Sequence, residues 1–252
     1  MIVAKRSNQM HGPVVVISRD ADRFDSFVHQ HAEAQLVYAI GGVVAVTTAE
    51  GTWVVPPSRA VWVPPGIAHQ THSHATVQFR ALLIDPAGLP HLPATCAVVA
   101  VSPLLRELIL RLADLPRSAK GPEFRQALTR LLLLELSFVP TEPLGLPWPE
   151  HRALVQLCET IRHAPVHSIS LAAAATVAHM SRSSFMRLFK KQTGMSFARW
   201  QQQARLLHAL VLLAEGQSIL NVALDCGYDS PSAFSAMFRR SLGRSPSAYF
   251  SQ

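Results

Sequence analysis

Between residues 13 and 100 the apolar positions fall in short β-rich runs, at 14–17, 35–40, 43–48, 52–55, 60–63 and 78–84. Gly41-Gly42, Glu50-Gly51, Pro56-Pro57 and Pro64-Pro65-Gly66 break them at the spacing of hairpins. Short strands with Pro and Gly turns predict a small barrel or a double-sheet jelly roll. Beyond residue 100 the period lengthens. Leu104, Leu105, Leu108, Leu112 and Leu115 mark one amphipathic helix and 124–138 a second, separated by 116–122. Residues 140–149 hold four prolines, which cannot continue a helix and predict a linker. Leu154, Leu157 and Ile161 then share one side of a further helix over 151–163.

The last eighty residues contain one pattern twice. Phe185-x-x-x-Phe189-Lys190-Lys191-x-x-Gly194-x-Ser196 returns 49 positions later as Phe234-x-x-x-Phe238-Arg239-Arg240-x-x-Gly243-x-Ser245. The same offset carries Trp200 onto Tyr249, while Ala175 meets Ala223 at an offset of 48. One supersecondary unit used twice, with a one-residue difference in turn length, accounts for this. Each copy reads as helix–turn–helix: 171–178 then 182–192 in the first, 219–226 and a helix from Pro231 in the second. Ser181 and Ser230 stand as N-caps, Pro231 sits at the first helical position, and Gly194 and Gly243 supply the stops. Residues 196–215 form a helical spacer between them, with Trp200, Leu207, Leu210 and Ala214 on one face.

Composition narrows the classes. The 252 residues suit two domains, and 49% hydrophobic content is ample for two cores. The first residues lack the apolar run and cleavage site of a signal peptide, and Glu135 ends the run 131–134 far short of a membrane span. Cys96, Cys158 and Cys226 are odd in number and far apart, which predicts reduced core residues of a cytoplasmic protein. The net charge of +7 is unevenly placed. From Glu150 onward 11 Lys and Arg face 5 Asp and Glu, a net of +6, against +1 before it. The repeat-bearing part is therefore the one suited to a polyanion.

The polar faces of the two capped helices suit the same partner. The first offers Arg182, Ser183, Ser184, Arg187, Lys190 and Lys191 without an acid; the second offers Ser232, Ser235, Arg239 and Arg240. Helix N-termini attract phosphate, and Arg can bond guanine with two hydrogen bonds in the major groove. One such helix could simply be a solvated face. Two in register, with caps and stops repeated, favour double-stranded DNA.

The segments Ser181-Arg-Ser-Ser-Phe-Met-Arg-Leu-Phe-Lys-Lys-Gln-Thr-Gly194 and Gly227-Tyr-Asp-Ser-Pro-Ser-Ala-Phe-Ser-Ala-Met-Phe-Arg-Arg240, followed by Gly243-Arg-Ser-Pro-Ser-Ala-Tyr249, resemble the DNA-binding domain of the AraC/XylS family of bacterial transcription regulators. The likeness covers roughly the last hundred residues. It implies a seven-helix domain that lays two recognition helices in successive major grooves. The family's base-facing positions fall on Ser183, Met186 and Arg187, then on Ser232, Ala233 and Ala236. Two positions depart from the pattern. His179 stands where the first turn usually has Gly, and Ala236 where a polar or basic residue is common. The second helix is accordingly expected to hold phosphates more than to read bases.

Within the β-rich part, His29-Gln30-His31, Gln35 and Pro64-Pro65-Gly66-Ile67-Ala68-His69 resemble the two cupin motifs. The resemblance places His29, His31, Gln35 and His69 where metal-bearing cupins hold a divalent ion, with Gln35 in place of the usual carboxylate. On a strand, residues two apart share a face, so His29 and His31 can converge. Three imidazoles and an amide oxygen suit Zn, Ni, Cu or Fe. The alternative is that these histidines line an organic effector pocket without metal. His72 and His74 are expected on a loop, and Trp53 and Trp62 in the strand core.

The expected architecture is thus α+β and multidomain. A cupin-type barrel or jelly roll (1–100) precedes a helical dimerisation segment (101–139), a Pro-rich linker (140–149) and an all-α double helix-turn-helix domain (150–252). The helices of 101–139 form the dimer contact in the family, or pack on their own barrel. The expected function is effector-controlled or metal-controlled transcription regulation by a cytoplasmic homodimer. RNA polymerase is a further partner, and the resemblance extends to regulators of a neighbouring exporter gene. A metal-dependent cupin enzyme with an accessory DNA-binding domain is the alternative. Against it, no general acid or base stands beside the histidines in the sequence.

Overall fold

A computed structural model of the chain describes residues 14–87, 92–115, 122–139, 144–166 and 168–249. The expected absence of a signal peptide, the break at 116–121 and the start of the linker, 140–143, lie outside them. The chain divides into two compact units, residues 1–48 with 55–141, and residues 49–54 with 142–252.

The first unit is built on antiparallel sheets. Strands β1 (Val14–Ala21), β3 (Ala34–Ala39), β6 (Arg59–Val63), β8 (Val77–Ile84), β9 (Ala97–Ala100) and β10 (Ser137–Val139) form a six-stranded sheet in the order β1-β8-β3-β6-β9-β10. Strands β2 (Phe24–Asp25), β4 (Val44–Thr48) and β7 (His69–Ser73) pair as β4-β7-β2. β3 is central, and every one of its residues is buried. Its alternate side chains serve two faces. Ala34, Leu36 and Tyr38 join a core with Trp62, Leu82 and Ile84, while Gln35, Val37 and Ala39 point the other way.

Helices α1 (Pro103–Asp114) and α2 (Pro122–Leu134) cover that core. Ser102 caps α1 by accepting the Leu105 N–H, with Pro103 at the first position, where its missing N–H costs nothing. Leu105, Leu108, Ile109 and Leu112 of α1 and Leu132 of α2 pack against Leu36, Tyr38, Trp62 and Leu82. The apolar face of α1 is therefore consumed by its own sheet. α2 keeps Ala127, Leu131 and Leu134 exposed, Leu134 at 75%.

Three expectations need correction here. The second helix ends at Leu134 and the chain returns as β10, because Phe138 packs edge-on against Trp62 at 6.1 Å beside β9. His72 lies on strand β7 rather than a loop. Trp62 lies in the core as expected, donating its indole N–H to Pro93 O at 2.9 Å. His31 is outside any strand, and His29 forms only an isolated bridge with His69.

The second unit holds α3 (Arg152–His163), α4 (Leu171–Val177), α5 (Arg182–Thr193), α6 (Phe197–Ala214), α7 (Ile219–Asp225), α8 (Pro231–Leu242) and α9 (Pro246–Tyr249). Serine hydroxyls open five of them. Ser170, Ser181, Ser196, Ser218 and Ser230 each accept the N–H three residues on. The repeat in the sequence is a repeat in the core. Phe185 and Phe189 stack at 5.6 Å, with Trp200 edge-on to Phe189 at 6.1 Å. Phe234 and Phe238 lie 5.7 Å apart, with Tyr249 edge-on to Phe238 at 5.4 Å.

Part of the expected linker is a strand. β11 (Gly145–Pro147) pairs with β5 (Gly51–Val55), setting Gly145 opposite Trp53 and Leu146 opposite Thr52. Its free edge carbonyls meet α6: Trp200 donates its indole N–H to Pro147 O at 2.8 Å, and Gln203 its amide to Gly145 O. Prolines stop a helix, but at a sheet edge they leave the carbonyls available.

Candidate functional site

The two helix-turn-helix copies share one local geometry. After α4, His179 N–H donates to Thr176 O and Met180 N–H to Ala175 O. After α7, Gly227 N–H donates to Leu224 O and Tyr228 N–H to Ala223 O. Both turns are left-handed at the first of these residues, His179 at φ 54° and Gly227 at φ 74°. A Cβ on Gly227 would lie 2.9 Å from Val166 O, so the second turn requires glycine, and the first bears the strain of a histidine.

The exposed faces follow. On α5, Arg182, Ser183, Met186, Arg187, Lys190 and Lys191 are exposed and Ser184 is half-buried. Ser183, Met186, Arg187 and Lys190 recur at helical spacing opposite the buried Phe185 and Phe189. On α8, Ser232, Ala233, Ala236, Arg239 and Arg240 are exposed and Ser235 is half-buried. Both helices end in a left-handed glycine, Gly194 at φ 73° and Gly243 at φ 78°. Each presents a capped N-terminus and two basic residues in its last turn.

The first unit brings the sequence-predicted histidines together. His29 and His69 exchange backbone hydrogen bonds at 3.0 and 2.8 Å, and Gly66 N–H donates to His31 O at 2.9 Å. These bonds lace the two histidine-bearing segments. The ligand atoms of His29, His31 and His69 lie within 4.8 Å of one another. Each ring donates its Nδ1–H to a carbonyl oxygen two residues away: His29 to Phe27 O at 2.8 Å, His31 to Glu33 O at 2.7 Å, His69 to Ile67 O at 2.8 Å. A carbonyl only accepts, so all three protons are fixed on Nδ1 and the lone pairs of neutral rings on Nε2.

Gln35 Oε1 stands 3.1 Å from His31 Nε2 and 2.7 Å from His69 Nε2. His29 Nε2 is buried without a hydrogen-bond partner among the described residues. Burial holds the His69 pKa down to about 4, opposed by its bond to the Ile67 carbonyl, so the ring is neutral at neutral pH. Glu33 went unnoticed in the sequence. It is 7% exposed, with Oε2 3.8 Å from His31 Nδ1. Its only signal was its place between His31 and Gln35. His72 and His74 face each other at 5.0 Å and take no part in the cluster.

The three cysteines are free and buried. Desolvation raises the Cys158 pKa far above its usual value and that of Cys226 to about 12, so neither offers a thiolate at neutral pH. Among the described residues no helix is long and apolar enough to cross a membrane.

Residues 11–136 match the AraC-like ligand binding domain, and residues 174–252 match a helix-turn-helix domain. The HTH-type transcriptional regulator NimR of Escherichia coli strain K12 is 36% identical over 94% of this chain and 86% of its own. The chain belongs to the AraC family of transcription regulators. The thermoregulatory protein LcrF of Yersinia pestis is 30% identical over 76% of this chain and 72% of its own. ToxT of Vibrio cholerae, a solved structure, aligns over 95% of this chain and 98% of its own at 11% identity and a TM-score of 0.40. As a member of the family the chain is a DNA-binding transcription regulator with an N-terminal ligand-binding domain and a C-terminal helical one. Both NimR and LcrF carry the names of regulators.

Proposed function

We propose that α5 reads base edges and that α8 chiefly holds the phosphate backbone, in successive major grooves of one operator. The observation that carries this is the chemistry of the two exposed faces. α5 presents Ser183, Met186 and Arg187 flanked by Arg182, Ser184, Lys190 and Lys191. α8 presents small residues, Ser232, Ala233, Ser235 and Ala236, ahead of Arg239 and Arg240. Arg187 can recognise guanine by two bonds; Ala233 and Ala236 offer only van der Waals contact, as to a thymine methyl. Occupancy of the ligand-binding unit biases DNA affinity to the extent that the ligand binds one state more tightly.

The regulator works as a homodimer in the cytoplasm, touches RNA polymerase, and controls a neighbouring exporter gene. The dimer reading is supported by Ala127, Leu131 and Leu134 of α2, apolar positions at heptad-like spacing left exposed while α1 is spent on its own sheet. Leu131→Glu with Leu134→Glu is expected to convert the sedimenting species to a monomer; a persistent dimer refutes this contact. Leu108 and Leu112 are unsuitable for that test, since their burial ties them to the fold.

Selection of bound fragments from random double-stranded DNA, followed by footprinting, tests the reading as a whole. One enriched motif of two blocks about one helical turn apart is expected. Binding without enrichment overturns it. Turnover of a small substrate that is lost in His29→Ala would revive the enzyme alternative.

A further inference from the structure

We propose that Gln201 is a positioning residue for DNA recognition: its side-chain amide pins the entry to α4 and thereby holds α5 at the angle at which Arg187 meets a base edge. The inference rests on the reading of α5 as the base-reading helix and names the residue that aims it.

The two copies attach their first helices differently. α7 follows α6 through 215–218 alone, and the end of α6 sets its direction. Gly216 is left-handed at φ 80°, and the Gln217 N–H returns to Leu212 O at 3.1 Å. α4 instead follows α3 through the longer connection 164–170, which does not by itself set a direction.

Gln201 supplies that constraint. It is 5% exposed, accepts the Ile169 N–H at 3.0 Å and donates to the Ile169 carbonyl at 3.1 Å. One side chain thus meets both backbone groups of one residue, as a neighbouring strand would. The two partners also fix the amide. An N–H only donates and a carbonyl only accepts, so a flipped amide would set donor against donor and acceptor against acceptor. Ile169 immediately precedes Ser170, whose hydroxyl caps α4 by accepting the Ala173 N–H at 3.2 Å. At the far end of α4 the Met180 N–H bonds Ala175 O, one residue before the Ser181 cap of α5. The bond to Ile169 is therefore the first of a short hydrogen-bonded series that ends at the N-terminus of α5.

The aromatic core does not replace it. Phe185 and Phe189 meet Phe197 edge-on at 5.1 and 5.2 Å, which holds the body of α5 on α6. Apolar packing is non-directional, whereas two hydrogen bonds to one residue fix an angle. A two-bond contact of Arg187 with guanine depends on that angle. The 49-residue offset sets Phe250 opposite Gln201, so the second copy has no amide at this position. The constraint serves the copy whose outer face carries Met186 and Arg187.

The test compares the full-length wild type with Gln201→Met and Gln203→Met. Each variant removes a buried α6 amide that donates to a backbone carbonyl, but Gln203 bonds Gly145 of β11 and not the α4 entry. On the operator obtained by fragment selection, Gln201→Met is expected to lose about tenfold in affinity. Protection should vanish over the block that Arg187→Ala also affects and persist over the other. Gln203→Met is expected to keep the ratio of the two blocks. Without DNA, amide exchange in Gln201→Met should speed at least about tenfold over 169–193 and stay unchanged over 219–242. Loss of both blocks alike, or the same pattern from Gln203→Met, makes the amide merely structural and overturns the proposal. If Gln201→Met does not fold, the wild type decides: an Ile169 amide that exchanges freely overturns the clamp, and a protected one sustains it. The two readings fail separately. Both blocks intact in Gln201→Met, with one lost in Arg187→Ala, sinks the positioning role alone, whereas full discrimination in Arg187→Ala sinks the reading of α5.

Discussion

The two helix-turn-helix copies are built alike inside and differently outside. Their buried rings superimpose in role, Phe185, Phe189 and Trp200 against Phe234, Phe238 and Tyr249. Their serine caps and glycine stops recur in register. The differences lie at the first turn, histidine against glycine, and on the outward face, where Met186 and Arg187 of α5 answer to Ser235 and Ala236 of α8. A repeated core holds two helices at a fixed spacing; it leaves each outer face open to a separate task. The copies share a frame, and the proposed reading concentrates specificity in one of them.

The equality of the cores is open to the severest test. Phe185→Ala and Phe234→Ala each remove a fully buried ring, at an expected cost of about 3–5 kcal/mol. Similar shifts in a thermal melt sustain the equivalence, and a much smaller loss from one breaks it. The outer faces are expected to part company. Arg187→Ala should lose about 1–3 kcal/mol of discrimination between operator and random DNA. Arg239→Ala should weaken both alike, and an equal loss of discrimination would undo the asymmetry.

The turns sharpen the contrast further. Gly227→Ala is expected to destabilise by about 1–3 kcal/mol, since it joins a left-handed φ to a close approach on Val166 O. His179→Gly should stabilise by about 0.5–1 kcal/mol in denaturant unfolding, by relieving the left-handed histidine. A loss of stability there would mean that the imidazole makes a compensating contact. The smallest effect is expected of Lys190→Ala, which should lower the salt dependence of DNA binding by about one unit in log–log slope.

The double motif was legible because its signals are local. A cap, a stop and two rings four residues apart all lie within a dozen positions. The first unit was legible where strands are apolar and opaque where they are not. β7 turns His69, Thr71 and Ser73 inward, so hydropathy gives no hint of a strand. β10 begins three residues after a helix, and β11 contains proline. The grouping of His29, His31, Gln35 and His69 could be read from motif spacing, but the mechanism given for it could not stand. His29 and His31 converge through backbone bonds with His69 and Gly66, not through strand alternation. The proton positions in the three rings depend on carbonyls that every residue carries, so no side-chain pattern could announce them.

The pairing of β5 with β11 has a consequence for how this chain can be divided. The hexapeptide 49–54 is compact with the DNA-binding helices, yet it is spliced into the sequence of the other unit. No single cut of the gene separates the two halves cleanly. A fragment beginning at Glu150 would carry the whole repeat but lack Gly145 and Pro147, the carbonyls to which Gln203 and Trp200 are bonded. Recombination that transplants such a fragment would deliver recognition helices whose spacer has lost two of its fastenings, so exchange between relatives is constrained to keep both segments together.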